Sequence, residues 1–411
     1  MISEPSLMNW GNLIISLGYN DRWRKSRRMI HPLLNKKAVE EFYPAQQLQA
    51  RLLLQRLLST SDTLTESDEV DAELYRTFAA ILTDSIYGYK INSTDDQFLR
   101  DFRTAANNLA EAASPANFLV NLFPALVKIP EWAPWTGWKR IAREWREQQQ
   151  YTVDYCYYQA KNKIENGEGE GSMIRSLLAS AEGLGLNADE ASCFHNSLLS
   201  WLILSPAPAG TDTSASTVLV FFLAMIQFPE IQKKAQAEID SVVGMNRLPN
   251  MDDRSRLSYV NRLVDEVMRW RPVIPTGVPH SSYEDDVYKG YKIPKGAIIF
   301  GNVWAMSHDP DVYKDPETFD PDRYLGSNIP APPAFGFGRR LCLGIHYAEA
   351  ALFIAVASIL STFNISPFED SDQEGETVKQ DANKAVYRPK PFRLKLTARS
   401  AEHAKLIQTG A

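Results

Sequence analysis

A segment near the carboxyl end of the chain, Phe335–Gly344, constrains the fold more than any other feature of the sequence. It reads Phe-Gly-Phe-Gly-Arg-Arg-Leu-Cys-Leu-Gly and leads directly into a run with the apolar spacing of a helix. Gly338 permits a tight turn with positive φ, and Gly344 lets the backbone come close to a flat partner. Cys342 stands just ahead of the helix, where backbone N–H groups and the helix dipole favour a thiolate. A lone cysteine usually behaves as an inert small hydrophobe, so only the spacing of the residues around Cys342 can indicate a functional role.

The spacing follows the pattern F-x-x-G-x-R-x-C-x-G, and every fixed position is filled, by Phe335, Gly338, Arg340, Cys342 and Gly344. The segment therefore resembles the haem-binding loop of the cytochrome P-450 family. The resemblance implies that Cys342 is the axial thiolate ligand of haem b (iron protoporphyrin IX). Such ligation pushes electron density onto the iron and favours O–O cleavage. Arg340 places a fixed positive charge near the sulfur and is expected to hold a haem propionate.

Glu266 and Arg269 are three residues apart on a predicted helix, so they share one face. Alone, such a pair is usually a surface ion pair of little value. Beside the cysteine loop it resembles the E-x-x-R pair of the same family, and Pro321-Asp-Arg323 resembles the segment that completes a buried network with it. The role implied for Glu266, Arg269 and Arg323 is structural, because the network holds the core around the haem.

Trp23 and Arg27 lie four residues apart on another predicted helix and resemble the family's W-x-x-x-R pair. The resemblance implies that Arg27 pairs with a haem propionate while Trp23 packs alongside. His280, on the strand expected after the E-x-x-R helix, resembles a second propionate contact. Arg24 and Arg28 form a basic patch on a neighbouring face, and we expect this patch to dock an acidic flavoprotein reductase.

Ala209–Ser214 reads Ala-Gly-Thr-Asp-Thr-Ser and resembles the family's oxygen-side segment. Gly210 would leave room for dioxygen, and Thr213 and Asp212 would deliver protons to bound oxygen. Pro206 and Pro208 depart from the family pattern. Proline costs about 3 kcal/mol in a helix interior, so the helix is expected to break or kink one turn before the oxygen site.

The rest of the chain predicts one mainly α domain with a minor β region, which is the cytochrome P-450 fold. The chain has 411 residues, 44% hydrophobic and 23% charged, so a folded globular protein is expected. Helical patterns cover most of it, among them Lys36–Leu58, Trp138–Ile164 and about Leu343–Phe363, and Ser59–Glu69 is expected to be a polar loop. Lys289-Gly290 between two tyrosines predicts a β-hairpin. The resemblance implies a single domain over residues 1–411 that lacks the family's usual membrane anchor, first β-sheet and B helix.

The function implied is a haem-thiolate monooxygenase that inserts one oxygen atom of dioxygen into an apolar small molecule, in secondary metabolism or xenobiotic oxidation. Electrons would come from NADPH through NADPH-cytochrome P-450 reductase. The net charge of −6 gives no reason to expect nucleic acid, and a monomer is expected. Family members typically sit on the cytosolic face of the endoplasmic reticulum membrane, but no apolar run here reaches the ~20 residues of a spanning helix.

Two alternatives remain open at this point. One is a haem-thiolate isomerase or dehydratase, which needs no oxygen-side proton relay and so leaves Asp212 and Thr213 unexplained. The other is a catalytically impaired haem-binding remnant, which the two prolines and the shortened chain favour.

Overall fold

The computed structural model describes residues 1–12, 14–59, 64–91, 93, 95–113, 117–167, 171–183, 210–326, 328–368 and 386–409. Helices predominate over short strands in these residues, as the sequence predicts. The chain divides into two compact units, and each is described by itself. The first comprises Met1–Glu41, Ala79–Asp212 and Ala382–Ala385, and the second comprises Phe42–Phe78, Thr213–Asp381 and Val386–Ala411.

The α-helices are numbered here in chain order over the described residues. They are α1 (Asp21–Leu34), α2 (Tyr43–Ser59), α3 (Ser67–Tyr87), α4 (Gln97–Ala113), α5 (Gly137–Glu165), α6 (Met173–Gly183), α7 (Thr213–Gln227), α8 (Pro229–Val242), α9 (Ser258–Trp270), α10 (Val303–Ser307), α11 (Ile345–Thr362) and α12 (Ala401–Thr409). The strands are β1 (Leu64–Glu66), β2 (His280–Ser281), β3 (Asp286–Tyr288), β4 (Tyr291–Ile293), β5 (Ile298–Ile299), β6 (Phe363–Pro367) and β7 (Arg393–Ala398).

The first unit is organised around α1, α4, α5 and α6. Helix α1 begins after Asn20, whose side chain accepts a hydrogen bond from the Trp23 amide at 2.9 Å and so caps the first turn. Helices α4 and α5 pack against each other. A cluster of buried side chains joins their ends to the first residues of the chain, namely Leu7, Met8, Trp10, Ala112, Val120 and Ala142.

Helix α11, which follows the cysteine loop, forms the centre of the second unit. It is apolar around nearly its whole circumference, the pattern of a helix buried on all sides. It packs against α2, α7, α8 and α9. Among the described residues, α11 is the one unbroken helix that is long and apolar enough to cross a membrane. However, 78% of its 18 residues are buried inside the protein. Helices α7 and α8 pass the same test only as a pair, and they meet at a bend of 108°.

The strands form small antiparallel sheets, ordered β1-β7-β6, β2-β5 and β3-β4. In the largest sheet Ile365 of β6 lies opposite Leu396 of β7, and both are buried. Gln232 of α8 ties this sheet to the helices, because it donates to the Ile365 carbonyl at 2.8 Å and accepts from the Ile365 amide at 2.8 Å. The Gln232 side chain thus makes the two backbone hydrogen bonds to Ile365 that a neighbouring strand would otherwise make.

The predicted hairpin is present as β3 and β4, with Lys289 and Gly290 at positive φ of 49° and 84°. The helix expected over Lys36–Leu58 was wrong in its first turns: Ala38–Phe42 is a 3₁₀ helix, and α2 starts at Tyr43 with Pro44 in its first turn. The loop expected over Ser59–Glu69 contains β1, which forms by pairing with β7. Pro206 and Pro208 lie outside the described residues.

Candidate active site

The cysteine loop folds as two tight turns that present Cys342 at the start of α11. Gly336 and Gly338 have positive φ of 78° and 51°, so the turn predicted at Gly338 is present. The Cys342 amide donates to the Phe335 carbonyl at 2.9 Å and closes the loop on itself. Gly344 then precedes the first residue of α11. The loop therefore fixes the Cys342 backbone by its own hydrogen bonds and leaves the side chain exposed.

The residues around Cys342 fit a haem. A Cβ built on Gly344 would lie 4.0 Å from Cys342 Sγ, an ordinary contact, so the atoms of the protein do not themselves require a glycine there. A flat partner lying against the backbone would require it. Phe337 and Leu341 of the same loop are 38% and 37% exposed, which offers apolar surface beside the sulfur. An exposed thiol at a helix N-terminus, bordered by apolar side chains, suits an iron held in an apolar macrocycle.

Glu266 and Arg269 form a fully buried ion pair on α9. Both side chains are 0% exposed, and Arg269 donates to the two Glu266 oxygens at 2.8 Å each. Arg323, 6% exposed, donates from Nε to the same carboxylate at 3.0 and 3.1 Å. The Asp320 amide adds a further bond at 2.9 Å. One carboxylate therefore pairs with two guanidinium groups from separate parts of the second unit.

Arg269 also binds backbone carbonyls at the end of α10 and in the segment that follows it. It donates to the carbonyls of Ser307 at 2.9 Å, Pro316 at 2.8 Å and Thr318 at 3.2 Å. Trp270 adds a bond from its indole N–H to the Glu317 carbonyl at 2.9 Å. These bonds satisfy carbonyls of a segment with little regular structure, so the network holds α9 and this segment in one arrangement.

The oxygen-side segment lies at the start of α7. Gly210–Asp212 form a turn of π-helix, and the α-helix proper begins at Thr213. Gly210, Asp212 and Thr213 are all half-buried. The Thr213 carbonyl accepts from Thr217 Oγ1 at 2.8 Å, one turn along. A π-helical turn widens a helix locally and often marks a functional site. Ala209, the first residue of the motif, lies outside the described residues.

The remaining predicted site residues fall in both units. In the first unit, Trp23 is buried and the Arg27 guanidinium lies 5.2 Å from the centre of its ring. In the second unit, His280 is half-buried on β2 opposite Ile299 of β5, and Arg340 is half-buried in the cysteine loop. The structure therefore brings Cys342 and Arg340 into one loop and groups Glu266, Arg269 and Arg323.

One contact at the cysteine loop was not anticipated. A Cβ built on Gly301 would lie 2.6 Å from Cε2 of Phe337, so the aromatic ring packs directly on the glycine backbone. Gly301 connects β5 to α10. A glycine directly after an apolar strand does signal close approach of another group, but the sequence gives no indication that the group is Phe337.

Asp265, next to the buried pair, is the described carboxyl whose pKa is raised most. Burial, followed by the negative charge of Glu349, raises the pKa of Asp265 to about 6. Arg254 opposes this effect and is itself 3.8 Å from Glu349. The Asp265 carboxyl therefore keeps its proton to a higher pH than an exposed aspartate does.

Comparisons with known proteins identify the family and the fold. The family model described as Cytochrome P-450 matches residues 4–396. The cytochrome P-450 monooxygenase claR of Ampulloclitocybe clavipes is 37% identical over 98% of this chain and 74% of its own length. Cytochrome P-450 monooxygenase 58 of Postia placenta is 36% identical over 99% of this chain and 77% of its own. A zebra fish cytochrome P-450 structure with abiraterone has a TM-score of 0.78 at 23% identity and covers 97% of this chain and 87% of its own.

The chain therefore belongs to the cytochrome P-450 family and has its fold. It is a cytochrome P-450 monooxygenase, a haem-binding oxidoreductase that uses dioxygen and electrons from a redox partner.

Proposed function

We propose that this enzyme inserts one oxygen atom of dioxygen into an apolar small molecule of secondary metabolism or of foreign origin, with electrons from NADPH. The observation that carries the proposal is the exposed Cys342 thiol, presented by a self-bonded loop at the head of the buried helix α11. Thiolate-ligated haem supplies the activation of dioxygen. The half-buried Asp212 and Thr213 at the π-helical turn supply titratable and hydroxyl groups where protons are needed.

The role proposed for each residue comes from its match to a family motif and is compatible with the chemistry of its side chain. Cys342 binds the iron, Gly210 leaves space for dioxygen, and Thr213 with Asp212 relays protons. Three cations bind the propionates of haem b, because guanidinium and imidazolium groups form charge-assisted hydrogen bonds with carboxylates: Arg27, His280 and Arg340. Trp23 packs beside Arg27, and Phe335, Gly338 and Gly344 shape the loop.

The test is turnover under ¹⁸O₂ with NADPH and a fungal NADPH-cytochrome P-450 reductase. Apolar terpenoids and aromatic compounds are screened as candidate substrates. The proposal predicts product that carries one ¹⁸O atom. Thr213→Ala should divert most electrons to hydrogen peroxide, because the proton relay is lost. Thr217→Ala, the same change one turn along α7, is the matched control and should keep product formation. Product formed without ¹⁸O would favour an isomerase or dehydratase, and haem binding without any turnover would favour a remnant.

The reductase is proposed to dock on the basic patch of α1, formed by Arg24, Lys25 and Arg28. All three residues are exposed. Arg24 forms an ion pair with Asp21, which offsets part of the charge of the patch. Reversal of charge at Arg24 and Lys25 should raise the KM for reductase several-fold at low salt and less at high salt. Lys405→Glu, on exposed α12, is the control. Unchanged turnover in the double variant at low salt would contradict reductase docking at this patch.

The remaining assignments are proposed from the family: one cooperative domain over residues 1–411, a monomer, and a setting on the cytosolic face of the endoplasmic reticulum. A single calorimetric unfolding transition would support one domain, whereas two separated transitions would contradict it. Light scattering of the purified protein tests the monomer, and membrane fractionation of expressing cells tests the location.

A further inference from the structure

Helix α7 contains a buried hydroxyl group, that of Ser216, whose hydrogen bonding is not satisfied. Ser216 is 0% exposed, and its Oγ forms no hydrogen bond with any residue that the structure describes. Such an atom costs free energy in the interior, because it has lost its contact with solvent and gained no protein partner. A buried polar atom of this kind indicates an internal water or a functional role.

The next residue, Thr217, shows what a hydroxyl in this helix ordinarily does. Thr217 Oγ1 donates to the Thr213 carbonyl at 2.8 Å, one turn back along α7. The same pattern occurs in α11, where Ser361 Oγ donates to the Ser358 carbonyl at 2.8 Å. Ser216 does not use a carbonyl of the preceding turn in this way. Its hydroxyl is therefore available to a group that lies beside the helix.

Ser216 lies on the same face of α7 as Thr213. The two residues are three positions apart, so their Cβ atoms are about 5–6 Å from each other on successive turns. The Cα–Cβ bonds of a helix lean toward its N-terminus, which for Ser216 is the turn that contains Thr213. One water can join two oxygens about 5.5 Å apart, because O–H···O bonds are about 2.7–2.8 Å long. The spacing therefore suits a single water between the two hydroxyls.

The composition of α7 places polar groups at this end of the helix. Its hydroxyl-bearing side chains all lie in the first five residues, at Thr213, Ser214, Ser216 and Thr217. From Val218 to Ile226 the helix is apolar. An internal water needs two or more polar partners. Each hydroxyl has one donor and two acceptor positions, so Ser216 and Thr213 together can supply them.

We propose that Ser216 is a positioning residue, which holds an internal water beside Thr213 so that this water passes protons to the Thr213 hydroxyl. The proposal rests on the proposed function, in which Asp212 and Thr213 deliver protons where dioxygen is activated. The water takes one proton from the Asp212 carboxyl for each proton that it gives to Thr213, and Asp212 is protonated again from solvent. Ser216 transfers no proton, because its hydroxyl only fixes the position of the water.

The first measurement is a crystal structure of the full 411-residue chain beside Ser216→Ala, at a resolution that shows single waters. This measurement does not depend on turnover. The proposal predicts an ordered water about 2.8 Å from Ser216 Oγ in the parent and no water at that position in Ser216→Ala. A Ser216 hydroxyl that donates to a carbonyl of the preceding turn, with no water beside it, would overturn the proposal.

The second measurement is the coupling, the product formed per NADPH consumed in the ¹⁸O₂ assay. Ser216→Ala should lower the coupling at least threefold and release the difference as hydrogen peroxide, while the substrate's dissociation constant changes less than twofold. Ser361→Ala is the matched control, because Ser361 is also buried, 6% exposed, but is satisfied within α11. Its coupling should be unchanged. Equal losses in the two alanine variants would trace the effect to general destabilisation and would overturn the proposal.

A double variant distinguishes one shared proton path from two independent effects. Ser216→Ala should cause no further loss of coupling in Thr213→Ala, because the water has no acceptor once the Thr213 hydroxyl is removed. Additive losses in the double variant would contradict the shared path. An ordered water at Ser216 in a parent that forms no ¹⁸O-labelled product would show that the proposed function has failed, and not the water site.

Discussion

Replacement of Glu266 by glutamine should destabilise the protein strongly, because it removes the negative charge that pairs with two buried guanidinium groups. Glu266 accepts from Arg269, Arg323 and the Asp320 amide, and it is fully buried. Removing one partner of a buried ion pair costs about 3–5 kcal/mol, since the remaining charge stays unpaired in a medium of low dielectric constant. Domains are stable by only about 5–15 kcal/mol in total.

The expected consequence is a decrease in Tm of roughly 3–6 °C for Glu266→Gln, because an unfolding entropy of about 2.1 cal/mol/K per residue over 411 residues makes 1 kcal/mol worth about 1 °C. The matched control is Glu66→Gln. Glu66 pairs with Arg393 at 3.0 Å, but the two side chains are 44% and 52% exposed. Exposed pairs contribute about 0–1 kcal/mol, so the Tm of Glu66→Gln should fall by no more than about 1 °C.

Differential scanning calorimetry of both variants beside the parent is the assay. Circular dichroism at 20 °C checks that each variant is folded before the scan. If the two glutamine variants lose the same small amount of stability, the argument from burial is refuted, and the Glu266 network does not hold the second unit together.

Two further predictions concern the neighbourhood of the cysteine loop. The folded-state pKa of Asp265, about 6, lies above the ordinary aspartate pKa of 3.8, so the folded state binds the proton more tightly and stability falls as pH rises between these values. Asp265→Asn should therefore be more stable than the parent at pH 7.5, by on the order of 2 kcal/mol, and the difference should shrink toward pH 5 in urea titrations; a difference independent of pH would contradict this. Gly301→Ala should cost about 1–3 kcal/mol, because its Cβ would meet Phe337, whereas Gly326→Ala, with nothing within 4 Å, should be nearly neutral in the same titrations. Equal losses of unfolding free energy in the two alanine variants would show that the Phe337 ring can move aside without cost.

The sequence predicted the long helices and the cysteine loop because both depend on local patterns. Helix α5, Gly137–Glu165, was expected over Trp138–Ile164, and α11 was expected within two residues of its observed bounds. The loop is recognisable because its turns and its ligand require particular residue types at fixed spacing. The hairpin is equally local, since Lys289-Gly290 can adopt the positive φ that a two-residue turn needs.

Features that depend on distant contacts were not predictable in the same way. Strand β1 is three residues long and exists because Leu64–Glu66 pairs with β7 near the end of the chain. Helix α4, Gln97–Ala113, was not predicted, although Phe98 and Phe102 have helical spacing. The contact between Gly301 and Phe337 also joins two segments that are separate in sequence. The roles of Thr213, Asp212, Arg27 and His280 remain predictions.

The central claim is that Cys342 binds haem iron as a thiolate. The most direct test is the reduced carbon-monoxide difference spectrum of the purified chain beside Cys342→Ala. The account predicts the red-shifted Soret band typical of thiolate ligation in the parent and its loss in the variant. A parent that binds haem without this band, or a variant that retains it, would contradict the assignment of Cys342.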